Sequence, residues 1–97
     1  MKKIRIPCIV DVETAVRIFN EKPRLRNGDI MELFGCGLSK ARQLREYVNA
    51  YLIENDGPVT GDATVETEDA YLAWGLDIDS LRARLDQIVK YRKKVAG

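Results

Sequence analysis

Apolar residues recur along this chain at helical spacing. Val12, Ala15, Val16 and Phe19 form one stripe in VETAVRIFNEK (12–22), and Asp11 precedes it as an N-cap. A short helix is predicted over 28–34, with Asn27 as its N-cap and Ile30, Leu33 and Phe34 on its inner face. The beat breaks at Gly35-Cys36-Gly37 and resumes in a longer helix over 38–53, whose inward stripe reads Leu38, Ala41, Leu44, Val48, Tyr51 and Leu52. ENDGP (54–58), dense in turn formers, ends it. Thr67 is expected to cap a short helix over 68–74, which Glu68 and Asp69 support through the helix dipole and Gly75 stops. A last helix runs over 77–95, starting at Asp77 or Asp79, and repeats Ile78, Leu81, Leu85 and Ile88 at 3-4-3 spacing.

Two segments carry strand character instead. IRIPCIV (4–10) is β-branched and apolar and predicts a short strand, with Pro7 favouring an edge position. PVTGDATVET (58–67) holds two short β-friendly stretches around Gly61-Asp62, which predicts a small hairpin or wing over 58–66. PRLRNG (23–28) reads as a connector in which Leu25 is the only apolar anchor. The expected fold is mainly α, a single domain over 1–97 with a small β-hairpin or short edge strands and a long C-terminal helix. Tyr71 and Trp74 are expected to seal that helix against the rest of the core.

Composition narrows the function. With 97 residues, 45% apolar and 32% charged, the chain has the balance of an ordinary globular domain with a modest core. No apolar run approaches the ~18 residues of a membrane span, so no membrane contact is expected. MKKIRIPCIV has a basic front and a short apolar stretch, but Pro7 and the following DVET do not fit a cleaved leader, which makes the cytoplasm the expected location. Cys8 and Cys36 stand far apart with no CxxC, and there is no histidine; two reduced, mostly buried thiols are expected, with no metal and no cofactor. Without histidine the commonest general base and the Ser-His and Cys-His pairs are absent. No phosphate-binding glycine loop appears, and the expectation is a protein without catalysis.

Net charge is +1, but it is unevenly spread. Residues 1–45 carry ten Lys/Arg against five Asp/Glu, residues 46–80 carry nine Asp/Glu and no Lys/Arg, and residues 81–97 carry six Lys/Arg against Asp86. A basic front, an acidic middle and a basic tail therefore cancel. Any contact with a polyanion must come from a local patch.

The stretch 28–53 has what a helix-turn-helix requires: a short helix, a tight glycine turn, and a second helix with one apolar stripe and one polar, donor-rich face. Gly35 suits the left-handed conformation where the first helix stops, and Cys36 fits the small apolar position in the turn. Facing outward would be Ser39, Lys40, Arg42, Gln43 and Arg45 or Glu46. Arg can grip guanine, Gln can grip adenine, and Ser or a helix N-terminus can hold a phosphate. The competing account of this face is plain solvation. Lys22, Arg24 and Arg26 lie just before the motif, where they clamp the flanking phosphate backbone or merely serve solubility. The same two accounts apply to Lys2, Lys3 and Arg5.

DIMELFGCGLSKARQL resembles the first motif of the excisionase-type winged helix-turn-helix domains, which are close to the MerR-type DNA-binding head. Asp29, Ile30, Leu33, Phe34, Gly35 and Cys36 follow that pattern in order, and Leu25 takes the apolar position before it. Ser39 and Lys40 fall where the family opens its recognition helix, and Arg42 and Gln43 fall on its DNA-facing positions. The resemblance covers about 25 of the 97 residues. It implies binding of double-stranded DNA by a phage or mobile-element accessory factor or small transcription regulator. The chain departs from the pattern at Met31, at Gly37, and in its acidic wing, where GDATVETED has no Lys/Arg. Such a wing must point away from DNA or serve a protein partner.

A second reading is an assembly module, such as a small terminase-like or phage structural subunit, that keeps the helix-turn-helix as scaffold. The acidic segment 46–80 and the amphipathic tail motivate it. The tail stripe Ile78, Leu81, Leu85, Ile88, Arg92, Val95 packs on the domain's own core or forms the seam of a homodimer. Lys90, Arg92, Lys93 and Lys94 add phosphate affinity or satisfy the helix C-terminus.

Overall fold

The computed structural model describes residues 4–55, 57 and 64–96 of the chain, with side chains through Lys94. The predicted hairpin falls mostly on 58–63 and so lies outside the described residues. Among the described residues five helices and two short strands appear in the order α1 (Val12–Glu21), β1 (Arg24–Leu25), α2 (Asn27–Phe34), α3 (Leu38–Glu54), β2 (Val65–Glu66), α4 (Thr67–Ala73) and α5 (Ile78–Ala96). The protein is mainly helical with a two-stranded antiparallel sheet and a long C-terminal helix, as the hydrophobic pattern predicts.

Local signals place the helix ends. Asp11 caps α1 by accepting a hydrogen bond from the Thr14 amide at 2.6 Å, and that bond holds its carboxyl below the ordinary carboxylate value. Gly35 ends α2 at φ 63°, and Gly75 lies at φ 75° just after α4. A Cβ on Gly35 would also sit 2.8 Å from Cγ1 of Val10, so both backbone and space demand glycine there. Asp77 starts α5, accepting from the amides of Asp79 and Ser80 and from the Ser80 hydroxyl.

Two predicted caps are corrected. The N-cap of α2 is Arg26, one residue earlier than Asn27. Asp29 at the third helical position takes the Arg26 amide at 3.0 Å, which starts the helix without help from the Asn27 side chain. Thr67 is the first residue of α4 and not its cap. Its amide donates to the Pro23 carbonyl at 3.1 Å and its hydroxyl to the Lys22 carbonyl, and it is buried. A tertiary tie between distant segments thus displaces a local cap.

The strands are also arranged differently. Residues 4–10 form no strand, because no strand among the described residues offers them a ladder and Pro7 lacks a donor. The segment instead lies on the helices: Ile4, Ile6 and Ile9 pack against the core, and the Val10 amide donates to the Leu33 carbonyl at 2.9 Å. Val65–Glu66 pairs with Arg24–Leu25, in register Arg24 with Glu66 and Leu25 with Val65. The apolar anchor of the connector is therefore a strand residue, fully buried.

One contiguous core joins every element. Val12, Ala15, Val16 and Ile18 of α1 are buried and Phe19 is half-buried, a wider arc than the predicted stripe because α1 packs between α2 and α5. On α3 the buried residues are Ala41, Leu44, Val48 and Leu52; Tyr51 is half-buried and Leu38 exposed, since the stripe only begins one turn into the helix. Tyr71 and Trp74 lie inside, as predicted. The Tyr71 hydroxyl donates to the Ala15 carbonyl at 2.6 Å and Trp74 Nε1 to the Leu44 carbonyl at 3.1 Å. Burial pushes the Tyr71 hydroxyl pKa strongly upward, so it stays a donor. The stripe of α5 faces inward: Leu81 is buried, Leu85 and Ile88 are partly so, and Arg92 pairs with Glu13 of α1. Both cysteines are free; Cys36 is half-buried as expected, but Cys8 is exposed.

Gly35→Ala is expected to destabilise the protein by about 1–3 kcal/mol in urea unfolding, through the positive φ and the Val10 clash. Tyr71→Phe keeps the packing and loses one hydrogen bond, so unfolding followed by the single tryptophan should show a loss of about 0.5–1.5 kcal/mol.

Candidate nucleic-acid interface

The turn at Gly35–Gly37 sets the direction of α3, and the core contacts of Ala41, Leu44 and Val48 set its rotation. The side of α3 opposite those residues is therefore fixed in solvent. Ser39 and Gln43, four residues apart, share that side, and Arg42 stands beside them; all three are exposed. Lys40 and Arg45 fall on opposite flanks of the helix and are half-buried. The structure thus groups Ser39, Arg42 and Gln43 on one surface and places the two flanking cations at its borders.

Arg45 is unusual in its energetics. Its Nε is buried without a hydrogen-bond partner among the described residues. A buried donor left unpaired costs about 1–3 kcal/mol, so an apolar side chain of similar length would suit the fold better. Glu46 is exposed on the outward side near Gln43 and is the one acidic residue there among the first three turns.

The second cluster sits at the start of α2. Lys22, Arg24, Arg26, Gly28, Asp29 and Thr64 line a shallow cleft at the junction of β1 and α2. Arg26 is exposed. Arg24 is engaged by its own sheet: Nε donates to the Thr64 hydroxyl at 2.9 Å, and its guanidinium lies 3.8 Å from the Glu66 carboxylate. The strand register imposes this pairing, placing Glu66 directly across from Arg24. The acidic segment is consequently not held wholly apart from the basic one. The eight residues of α2, about 12 Å of helix, lie between the two clusters along the chain.

Two features of this region escape periodicity. Lys22 joins Arg24 and Arg26 because Thr67 fastens the connector to α4. Ile4 shares a groove with Gln43, Glu46, Tyr47 and Ala50, so the entering chain runs beside α3 and carries exposed Arg5 with it. The basic front of the sequence is the only signal that pointed there. No group of acidic, cysteine or histidine side chains suited to a metal ion occurs among the described residues. No described helix is long and apolar enough to cross a membrane.

No family model matches the chain, and no curated protein or solved structure matches it either.

Arg45→Met should be neutral or raise stability by about 1 kcal/mol in urea unfolding, because it removes the unpaired buried donor.

Proposed function

We propose that the protein binds double-stranded DNA without catalysis, placing the N-terminal half of α3 in the major groove. The observation that supports this best is the outward side of α3. A glycine turn presents Ser39, Arg42 and Gln43 together in solvent, with Lys40 and Arg45 at the borders. In this reading Ser39, Arg42 and Gln43 meet base edges, and Lys40 and Arg45 hold phosphates. Arg26, and Arg24 once its pair with Glu66 yields, reach the flanking backbone, while α2 braces α3 from behind. Arg45 then serves binding at a cost to stability. The resemblance of 28–48 to excisionase-type domains makes an accessory factor or small regulator of a phage or mobile element, acting in the cytoplasm, the natural setting.

An assembly module built on the same scaffold is the second reading. The pairing of Glu66 with Arg24 favours it, since that contact sets a carboxylate against one of the cations. In that case the acidic residues would meet a protein partner.

The test is selection of bound duplexes from fragmented source-genome DNA at low salt, followed by fluorescence anisotropy on the enriched site. Arg42→Ala should lose about 1–3 kcal/mol of binding and blur the site preference. Lys40→Ala should weaken all duplexes alike and flatten the salt dependence by about one unit of slope. No enrichment by demonstrably folded protein would overturn the DNA reading.

A further inference from the structure

Away from the α3 surface, a groove of about 580 Å³ opens between α1, α4 and the start of α5. Phe19, Tyr71, Leu72, Leu76 and Ile78 supply an apolar floor. Leu72 is 64% exposed, although its neighbours on α4 are buried. The rim is acidic: Glu68 and Asp77 line the groove, and exposed Asp79 follows in the first turn of α5. Glu68 and Asp79 form no ion pair among the described residues.

The other end of α5 has the opposite character. This helix of 19 residues is about 28 Å long, whereas α1, on which it chiefly packs, has 10 residues and about 15 Å. The C-terminal turns of α5 therefore lie beside the first turn of α1, where Arg92 meets Glu13, and end beyond it. They expose Val89 and Tyr91, the latter 69% accessible, among Lys90, Lys93 and Lys94. Arg92 is neutralised by Glu13, but the three lysines have no ion-pair partner among the described residues. The sequence from Gln87 to Gly97 has no acidic residue.

We propose that two copies of the chain associate through antiparallel pairing of their α5 helices, the basic last turns of each seated over the acidic-rimmed groove of the other. Charge complementarity selects both the occupant and the direction. One chain carries both halves, an apolar floor with carboxylates at one end of α5 and apolar side chains with lysines at the other. Antiparallel pairing sets Lys90, Lys93 and Lys94 near Glu68, Asp77 and Asp79 of the second copy, and does so twice about a two-fold axis. Parallel pairing would set like charge against like, and the helix dipoles would oppose it too. The inward stripe of α5 stays on α1, so the contact uses the outer side of the helix and not a coiled-coil seam.

Sedimentation velocity on the full chain at low salt tests this with charge reversals at exposed positions, after circular dichroism confirms the fold of each variant. The wild type should sediment as a dimer that weakens with salt. Glu68→Lys, and separately Lys93→Glu with Lys94→Glu, should each weaken the dimer at least about tenfold by placing like charges together. Mixing the two variants should restore dimers, because one half of the contact then keeps a basic end on an acidic groove and the other half sets the two reversed charges against each other. A wild-type chain that stays monomeric at millimolar concentration overturns the proposal, as does failure of the mixture to pair. Mass that keeps growing with concentration overturns the two-fold arrangement. These readouts need no DNA and stand apart from the DNA-binding reading.

Discussion

The fold depends most on the two aromatic side chains of the α4 region. Tyr71 and Trp74 face the same core from one short helix and its cap, and each spends its polar atom on a different helix. The Tyr71 hydroxyl holds α1 at Ala15, and Trp74 Nε1 holds α3 at Leu44. Phe34 of α2 meets the Trp74 ring edge-on at 5.1 Å, and Phe19 of α1 lies 5.1 Å from the Tyr71 ring. Three helices are thereby referenced to one point, with aromatic area and hydrogen bonds acting together. The orientation of α3, and with it the surface that would enter a groove, follows from this anchorage.

That anchorage in turn requires α4 to be brought to α1 across a long stretch of sequence. The two-residue sheet and Thr67 do this. Leu25 and Val65 are both buried where the strands pair, and Thr67 bonds the Lys22 and Pro23 carbonyls. So small a sheet contributes little as a ladder. Its importance is positional: it fixes the start of α2 against the start of α4 and gathers Lys22, Arg24 and Arg26 around one cleft. The same pairing sets Glu66 beside Arg24, so the device that assembles the basic cluster also partly neutralises it.

Polar surfaces show where packing has left room for function. A fold selected for stability alone would have little reason to bury the Nε of Arg45 without a partner, or to expose Leu72 over an apolar groove. The first lies at the border of the proposed DNA-binding surface and the second at the proposed contact between copies. They occupy different parts of the molecule, so binding of DNA by α3 and pairing through α5 are compatible, and a two-fold pair would present two α3 helices.

Much of the helical architecture was legible in the sequence. Periodicity and turn residues suffice where a helix is defined by its own stripe and ends, as at Asp11, Gly35, Gly75 and Asp77, because capping and positive φ are local matters. The outward position of Ser39, Arg42 and Gln43 was legible for the same reason, since residues on one helix keep a fixed angular relation. Local rules failed where a distant segment competed for the same group. Thr67 and Asn27 look like caps, but the Lys22 carbonyl and the Asp29 carboxylate decided otherwise. IRIPCIV looks like a strand, yet without a partner its isoleucines pack on helices. The sequence alone determined which stretches are helical and which side of each is apolar. Only the tertiary structure decided that Val65 and Glu66 join Arg24 and Leu25, that Arg24 meets Glu66, and that Arg45 is half-buried. Those outcomes depend on which surfaces meet, and burial makes a polar group take whatever partner the fold brings within reach.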